Sequence, residues 1–286
     1  MLLGLQNSIL KMVAKGDELE ATLVKLCLDV EQLVPGSFAS VLTLDDDGLL
    51  HPCAAPSLPA EYSAALDNIA IGPEVGSCGS AAFLREAVTV SNIGDDPRWA
   101  AFSWLALPHG LKACFSSPIF GSKGKVLGTF GLYFREARSP TPLEQSITEG
   151  CLPLCMIALE RHGRLLEHRR LAFTDVLTGL PNRAKFNDVL EKALELNEWS
   201  LMLVDVDYLK TVNDTFGHAA GDDLISAVAS RLLNAVKPRS AYRLGGDEFA
   251  VIIDRASRAE VGKIAQEIVT AISQPAVCAG HTTFPP

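Results

Sequence analysis

Arg243-Leu-Gly-Gly-Asp-Glu-Phe249 is the stretch on which the reading of this chain turns. Paired glycines between two short apolar runs form a tight hairpin, because glycine alone enters φ > 0 freely. The missing side chains also let a flat ring or a phosphate approach the backbone. Asp247 and Glu248 then stand at the turn, with an apolar strand behind them. Upstream, Leu201-Met-Leu-Val-Asp205-Val-Asp207 reads as an apolar strand ending in carboxylates. Strand alternation puts Asp205 and Asp207 on the face of Leu201 and Leu203. Carboxylates at the end of a buried strand need a cation or another partner. Magnesium suits them, since it takes hard oxygen ligands and keeps waters and phosphate oxygens. The residues alone leave two alternatives. One is a solvated strand end beside a plain acidic hairpin, with Asp207 capping the next turn. The other is Asp205 and Asp247, from neighbouring strands, around one site for metal-assisted phosphoryl chemistry.

Working outward, the second half alternates elements: a helix over 182–196, the strand 201–206, a helix over 218–236, strands 241–244 and 249–253, and a helix over 259–272. Ile225, Val228, Leu232 and Val236 share one helix face, as do Val261, Ile264, Ile268 and Ile272. This β-α-β-β-α order is most of a βαββαβ palm, without a final strand before Pro286. The first half reads as α+β. Helical spacing covers 9–33, a β-rich run at 37–44 turns back at 45–48, and further strands are expected at 64–71, 87–91, 113–119 and 126–134. A short helix is expected near 80–84, and 92–111 reads as loop. Ser139-Pro-Thr-Pro142 starts a long helix. Ile147, Cys151, Leu154, Ala158 and Leu165 follow a 4-3-4 pattern along it, and Pro153 should kink or restart it. That stripe either caps the first sheet or pairs two chains in a parallel coiled coil.

The 286 residues suffice for about two ordinary domains. Hydrophobic residues make up 48% and charged residues 21%, the balance of a chain that buries a core rather than staying disordered. The net charge of −9 argues against non-specific nucleic-acid binding, which relies on neutralising phosphates, and leaves nucleotide binding open. No stretch reaches the roughly 20 apolar residues of a membrane span. No basic segment leads into a clean apolar core, so no secretory signal is read and a cytoplasmic location is expected. The seven cysteines are odd in number and scattered, which predicts free thiols in a reducing compartment. Cys151 and Cys155 have no second pair at zinc spacing.

Gly245-Gly-Asp-Glu-Phe249 is identified as the namesake motif of the GGDEF family, the diguanylate cyclases. Five specified residues coincide at a given position about once in a million. Asp175-Val-Leu-Thr-Gly-Leu-Pro-Asn-Arg183 resembles the family's opening turn. Asp205-Val-Asp-Tyr-Leu-Lys-Thr-Val-Asn213-Asp-Thr-Phe-Gly-His218-Ala-Ala-Gly-Asp222 resembles its nucleotide-binding stretch. The resemblance covers about 171–286. It implies Asp205 and Asp247 as magnesium ligands with the Val206 carbonyl, manganese being the alternative ion. It implies Asn213 and Asp222 as guanine readers: an amide can meet the ring's acceptor edge, and a carboxylate can accept from N1–H and the 2-amino group. His218 would lie near the same nucleotide, a helix cap being its other reading. Tyr208 and Leu209 would offer backbone N–H groups to phosphates, and Lys210 a positive charge. Glu248 would assist metal or hydroxyl activation. Asp247 would accept the proton, a role that metal ligation weakens.

The implied reaction joins two GTP into cyclic di-GMP and two pyrophosphates, each subunit of a homodimer holding one GTP. The 3′-hydroxyl of one attacks the α-phosphorus of the other. Two departures qualify it. The family's inhibitory product site, Arg-x-x-Asp, corresponds to Val236 and Arg239, so no inhibitory product site is expected. The family also continues past Pro286 with an edge strand, a helix and basic residues. Weak or no turnover is therefore expected of this chain alone, with a GTP-binding regulatory protein as the alternative function. No motif supports a phosphodiesterase.

Gly76-Ser-Cys-Gly-Ser-Ala-Ala82, Ser91-Asn-Ile-Gly-Asp-Asp-Pro-Arg-Trp99, Leu107-Pro-His-Gly-Leu111 and Val126-Leu-Gly-Thr-Phe-Gly-Leu-Tyr133 resemble GAF sensor domains of the sort fused ahead of cyclases. This implies an antiparallel sheet with flanking helices and a cavity for an unidentified small molecule. Cys78, His109 and Cys114 either line that cavity as redox or haem contacts or are ordinary packing. The expected organisation is a GAF domain over 1–161, a linker helix over 142–170 overlapping it, and an incomplete GGDEF domain over 171–286.

Overall fold

The computed structural model describes residues 2–195, 199–237, 240–254, 257–275, 277–278 and 281–282. The chain divides into two compact units, Met1–Arg164 and Leu165–Pro286.

The first unit opens with α1 (Leu2–Lys15) and α2 (Leu19–Leu33). The helical spacing over 9–33 is thus two helices rather than one. Gly16 turns the chain at φ +92°, and its N–H and that of Asp17 both return to the Met12 carbonyl at 3.1 Å, the left-handed glycine stop that satisfies a helix's last carbonyls. Next come β1 (Ser37–Leu44), β2 (Leu49–Ala54), α3 (Ala60–Ala65), β3 (Ile69–Ala70), α4 (Gly76–Leu84) and β4 (Val88–Val90). Of the strand expected over 64–71 only Ile69–Ala70 forms; α3 runs to Ala65 and residues 66–68 are a turn. Pro59 caps an Ala-rich turn, Asn68 reverses the chain at φ +61°, and two residues remain to pair with β2. The loop 92–111 holds one short helix, α5 (Ser103–Ala106), between single 3-10 turns; β5 (Ala113–Phe120) and β6 (Val126–Phe134) follow.

These strands form a six-stranded antiparallel sheet in the order β3-β2-β1-β6-β5-β4. Val41, Phe115, Phe130 and Leu132 project from one face into a core with Leu23, Leu26 and Val30 of α2. Tyr133, Cys114 and Val90 project from the other and pack with Ala81 of α4, Tyr62 and Trp99. The long helix α6 (Pro142–Phe173) buries Ile147, Cys151, Leu154 and Ala158 in the first of these cores, so that stripe caps the sheet. Leu165, one period further, is 45% exposed. The helix runs on through Pro153 without restarting; the proline ring lies on the exposed side.

The second unit contains α7 (Arg183–Leu194), β7 (Trp199–Asp205), α8 (Leu209–Phe216), α9 (His218–Val236), β8 (Ser240–Gly245), β9 (Glu248–Asp254) and α10 (Arg258–Ile272). Asn182 caps α7 by accepting from the Lys185 N–H at 3.1 Å, and Ser257 caps α10 in a reciprocal box with Glu260. The antiparallel order is β7-β9-β8. Alternation along β9 divides its side chains. Phe249, Val251 and Ile253 meet α9 and α10, while Ala250 and Ile252 face Phe186 and Leu190 of α7. Among the described residues β7 pairs only with β9. The final residues place β10 (Val277–Cys278) against β11 (His281–Thr282) in a separate two-stranded ladder, where no strand was read from the sequence.

Candidate active site

The hairpin between β8 and β9 turns on two positive-φ glycines, Gly245 at +144° and Gly246 at +54°. Phe249 is fully buried beneath α9 and α10 and anchors the motif to the core. Glu248, one residue earlier, therefore points to the opposite face. There it is the direct ladder partner of Asp205. The Val206 N–H donates to the Asp247 carbonyl at 3.1 Å, which ties the hairpin tip to the end of β7. Carboxylates from two neighbouring strands are thus gathered at one sheet end. Desolvation raises the Asp205 pKa above its usual value, followed by repulsion from Asp247, Asp207 and Glu248. Glu248 is paired with Arg183 at 3.0 Å. Asp205 and Asp247 have no cationic partner among the described residues.

Two sequence expectations about this strand need correction. β7 ends at Asp205, so Asp207 lies in the following turn and not on a strand face. The face bearing Asp205 is also not buried: Leu203 is 70% exposed. The reason is tertiary. α7 covers β8 and β9 on that side, leaving the edge strand's outer face open. Among the described residues no group of three or more His, Cys, Asp or Glu side chains forms a metal cage. The set on offer is two carboxylates and a backbone carbonyl. Those are hard oxygen donors with uncompensated negative charge, which fits a divalent cation that retains waters and phosphate oxygens.

The opening turn grips this hairpin. Arg243 donates through Nη1 to Asp175 at 2.9 Å, and through Nη2 and Nε to the Gly246 carbonyl at 2.8 and 3.2 Å. Asp175 also accepts from the Thr178 N–H and hydroxyl at 2.9 and 2.7 Å. Desolvation pushes the Asp175 carboxyl up, but the bonds from Thr178 and Arg243 outweigh it and hold the group below its usual value. The Arg243 N–H reaches the Pro181 carbonyl at 2.9 Å, and Arg183 Nε reaches the Leu244 carbonyl at 2.7 Å. Sequence reasoning gave Arg243, Asp175 and Arg183 no role. The available signal was an arginine two residues before the glycine pair and a carboxylate in the turn 68 positions upstream.

The residues expected to read the nucleotide fall on α8 and α9, which Gly217 alone connects. α8 was not foreseen, although Leu209, Val212 and Phe216 stand at helical spacing along its eight residues. Tyr208 adopts the left-handed conformation at φ +61° and is the residue before α8, so the N–H groups of Leu209 and Lys210 lie in the first turn, where a helix supplies no acceptor. Tyr208 and Lys210 are exposed, and Leu209 is half-buried. His218 is exposed as the first residue of α9, whose cap is Gly217, so the cap reading of His218 fails. Asp222 is exposed one turn into α9, and Asn213 is half-buried on α8 with its Oδ1 buried and unpartnered. Val236 is core, and Arg239 lies outside the described residues.

In the first unit a small apolar cavity of about 30 Å³, room for about one water, lies between α4 and the sheet. Leu42, Leu50, Tyr62, Trp99 and Tyr133 line it together with Cys78; Cys114 and His109 are not in its wall. Cys114 packs beside Tyr133, and His109 meets the Tyr62 ring edge-on at 6.3 Å. The Tyr62 hydroxyl is buried without a partner. The other core thiols, Cys27, Cys151 and Cys155, are pushed up by burial against the opposite face.

Residues 16–160 match the family model described as the GAF domain, and residues 172–284 match that of the GGDEF domain of diguanylate cyclases. The chain belongs to the GAF family through its first unit, and its second unit is a GGDEF domain. It is 37% identical over 156 residues to the methyl sulfide methyltransferase-associated sensor of Methanosarcina acetivorans, covering 54% of this chain and 16% of that protein. It is 41% identical over 111 residues to the diguanylate cyclase DgcN of Escherichia coli, covering 37% of this chain and 26% of that one. Among solved structures, the GGDEF domain of TpbB from Pseudomonas aeruginosa is 37% identical at a TM-score of 0.36, covering 39% of this chain and 69% of that one. The chain thus spans a minor part of the curated relatives' own length. Among the described residues no helix is long and apolar enough to cross a membrane.

Proposed function

We propose that this chain is a sensor-regulated diguanylate cyclase that condenses two GTP into cyclic di-GMP and two pyrophosphates. The observation that carries this reading is the meeting of Asp205, opposite Glu248 in the ladder, with the Asp247 hairpin tip bonded to Val206. Asp205, Asp247 and the Val206 carbonyl would hold Mg2+. Such an ion supplies stabilisation of charge developing on the phosphate oxygens and lowers the pKa of an attacking hydroxyl. Asn213 and Asp222 read the guanine, and the first-turn N–H groups of α8 with Lys210 receive phosphate charge. His218 stands beside the same nucleotide. Arg183 holds Glu248 at the hairpin, where it assists activation of the hydroxyl. Arg243 fixes the Gly246 carbonyl and hence the turn that presents Asp247.

The site has one set of these residues, whereas the product contains two joined nucleotides. Two copies must therefore face each other, each contributing one GTP. The 3′ oxygen of one forms a bond to the α-phosphorus of the other, pyrophosphate leaves, and the hydroxyl proton is lost toward Asp247 or water. In this reading a small molecule held by the first unit sets the pairing of the two cyclase units.

The purified chain incubated with GTP and Mg2+ should yield cyclic di-GMP slowly, as read by chromatography, and Asp247→Ala should abolish the product. Equal product from both proteins would refute the assignment. GTP binding without product from either would favour the regulatory alternative.

A further inference from the structure

We propose that Gly221 is a positioning residue for nucleobase selectivity: its bare Cα is the seat that holds the Asn213 carboxamide in place. This rests on the reading above, in which Asn213 meets guanine. α8 and α9 are joined by a single residue, so Asn213 on α8 faces the first turns of α9. A Cβ built at Gly221 would lie 2.0 Å from Asn213 Oδ1, 2.9 Å from Cγ and 3.3 Å from Nδ2. All three heavy atoms of the amide plane therefore rest against that one position. No methyl group fits there without displacing the amide, since non-bonded carbon and oxygen do not approach to 2.0 Å.

Nothing local to the helix calls for glycine at this point. Gly221 lies inside the 19-residue α9, is not among the positive-φ residues, and is buried. Glycine is the poorest helix former after proline. The stability it forgoes is offset only by the close approach. Asn213 Oδ1 is buried yet has no hydrogen-bond partner. The oxygen is held by packing and not by a hydrogen bond, so the contact with Gly221 is what orients the amide. The next residue after Gly221 is Asp222, so the same turn of α9 that seats the amide also carries the carboxylate. The spacing of amide and carboxylate, on which base discrimination depends, is set by this one contact.

The test is equilibrium binding of GTP and of ATP, with Mg2+, to four forms of the full chain: unmodified, Gly221→Ala, Asn213→Ala and the double variant. The unmodified chain should prefer GTP. Gly221→Ala should weaken GTP about tenfold, the effect of one misplaced hydrogen-bonding group, and leave ATP unchanged, so that the preference falls by the same factor. Asn213→Ala should do at least as much. The double variant should match Asn213→Ala alone, because Gly221 acts only through that amide. Removing the amide also makes room for the methyl group, so the double variant should melt no lower than Asn213→Ala even if Gly221→Ala by itself folds poorly. Multiplicative losses in the double variant, or an unchanged preference in Gly221→Ala, would overturn the inference while leaving the guanine reading standing. An unmodified chain without preference for GTP would overturn both.

Discussion

Asp205 faces three other carboxylates at the end of β7, and its only direct ladder partner is Glu248. Like charges directly opposite on a sheet are destabilising. Asp205 itself has no cationic partner among the described residues, so its charge is relieved only by solvent screening or by an ion. Asp205→Asn removes one charge while keeping shape and hydrogen-bonding capacity. It should raise the melting temperature slightly in metal-free, low-salt buffer and abolish the further rise that MgCl2 gives the unmodified chain. Thermal melts of both proteins with and without the salt decide this. A variant that melts lower in the absence of metal would mean that Asp205 has a stabilising role in the apo fold. Glu248 differs from Asp205 because Arg183 answers it at 3.0 Å. Arg243, by contrast, bridges a carboxylate and a carbonyl at once, which makes it the clasp between the opening turn and the hairpin.

At the scale of elements, helix starts show how much rests on single side chains. α6 begins with Glu144 only 9% exposed, accepting from Arg138 through both oxygens at 2.8 Å and from the Thr141 N–H at 2.7 Å. The Arg138 bonds, which outweigh burial, with help from Thr141, hold the Glu144 carboxyl below its usual 4.5. A depressed folded-state value means that the fold favours the ionised form. Its contribution is present above pH 4.5 and is lost as pH falls through the folded value. Glu144→Gln should therefore cost about 1–3 kcal/mol at pH 7, with the gap closing on acidification below about pH 4. Urea titrations across that range measure it, and a pH-independent gap would contradict the ion pair as the cause. The same helix illustrates a limit of pattern reading. Its stripe from Ile147 to Ala158 fits either a sheet cap or a second chain, and the core of the first unit takes it. Pro153 interrupts the bond ladder on the exposed side, where the neighbouring turns hold the helix together.

The whole molecule comprises two units, each with its own core. Two cooperative unfolding steps are expected rather than one. Phe249 is fully buried in the second unit's core, and Phe249→Ala should lower only that unit's step, by about 3–5 kcal/mol. GTP with Mg2+ should raise the same step, by about 2.7 kcal/mol at a hundredfold excess over the dissociation constant, and leave the other in place. Differential scanning calorimetry reads both shifts. A single transition, or a GTP shift in the step that Phe249→Ala does not touch, would count against the assignment of the nucleotide site.

The sequence by itself determined most of the alternation of elements and the glycine hairpin, and its resemblance named the residues proposed for metal, base and phosphate. These depend on periodicity, on φ > 0 at Gly245 and Gly246, and on motifs short enough to be read along one strand or turn. Only the tertiary structure decided which face of β7 is open, that Asp207 leaves the strand, that Arg243 clasps Asp175 across 68 positions, and that Gly221 seats Asn213. Each of those depends on what a neighbouring element covers or how closely two backbones approach. A linear pattern records the period of a strand or helix, but not which partner lies against it.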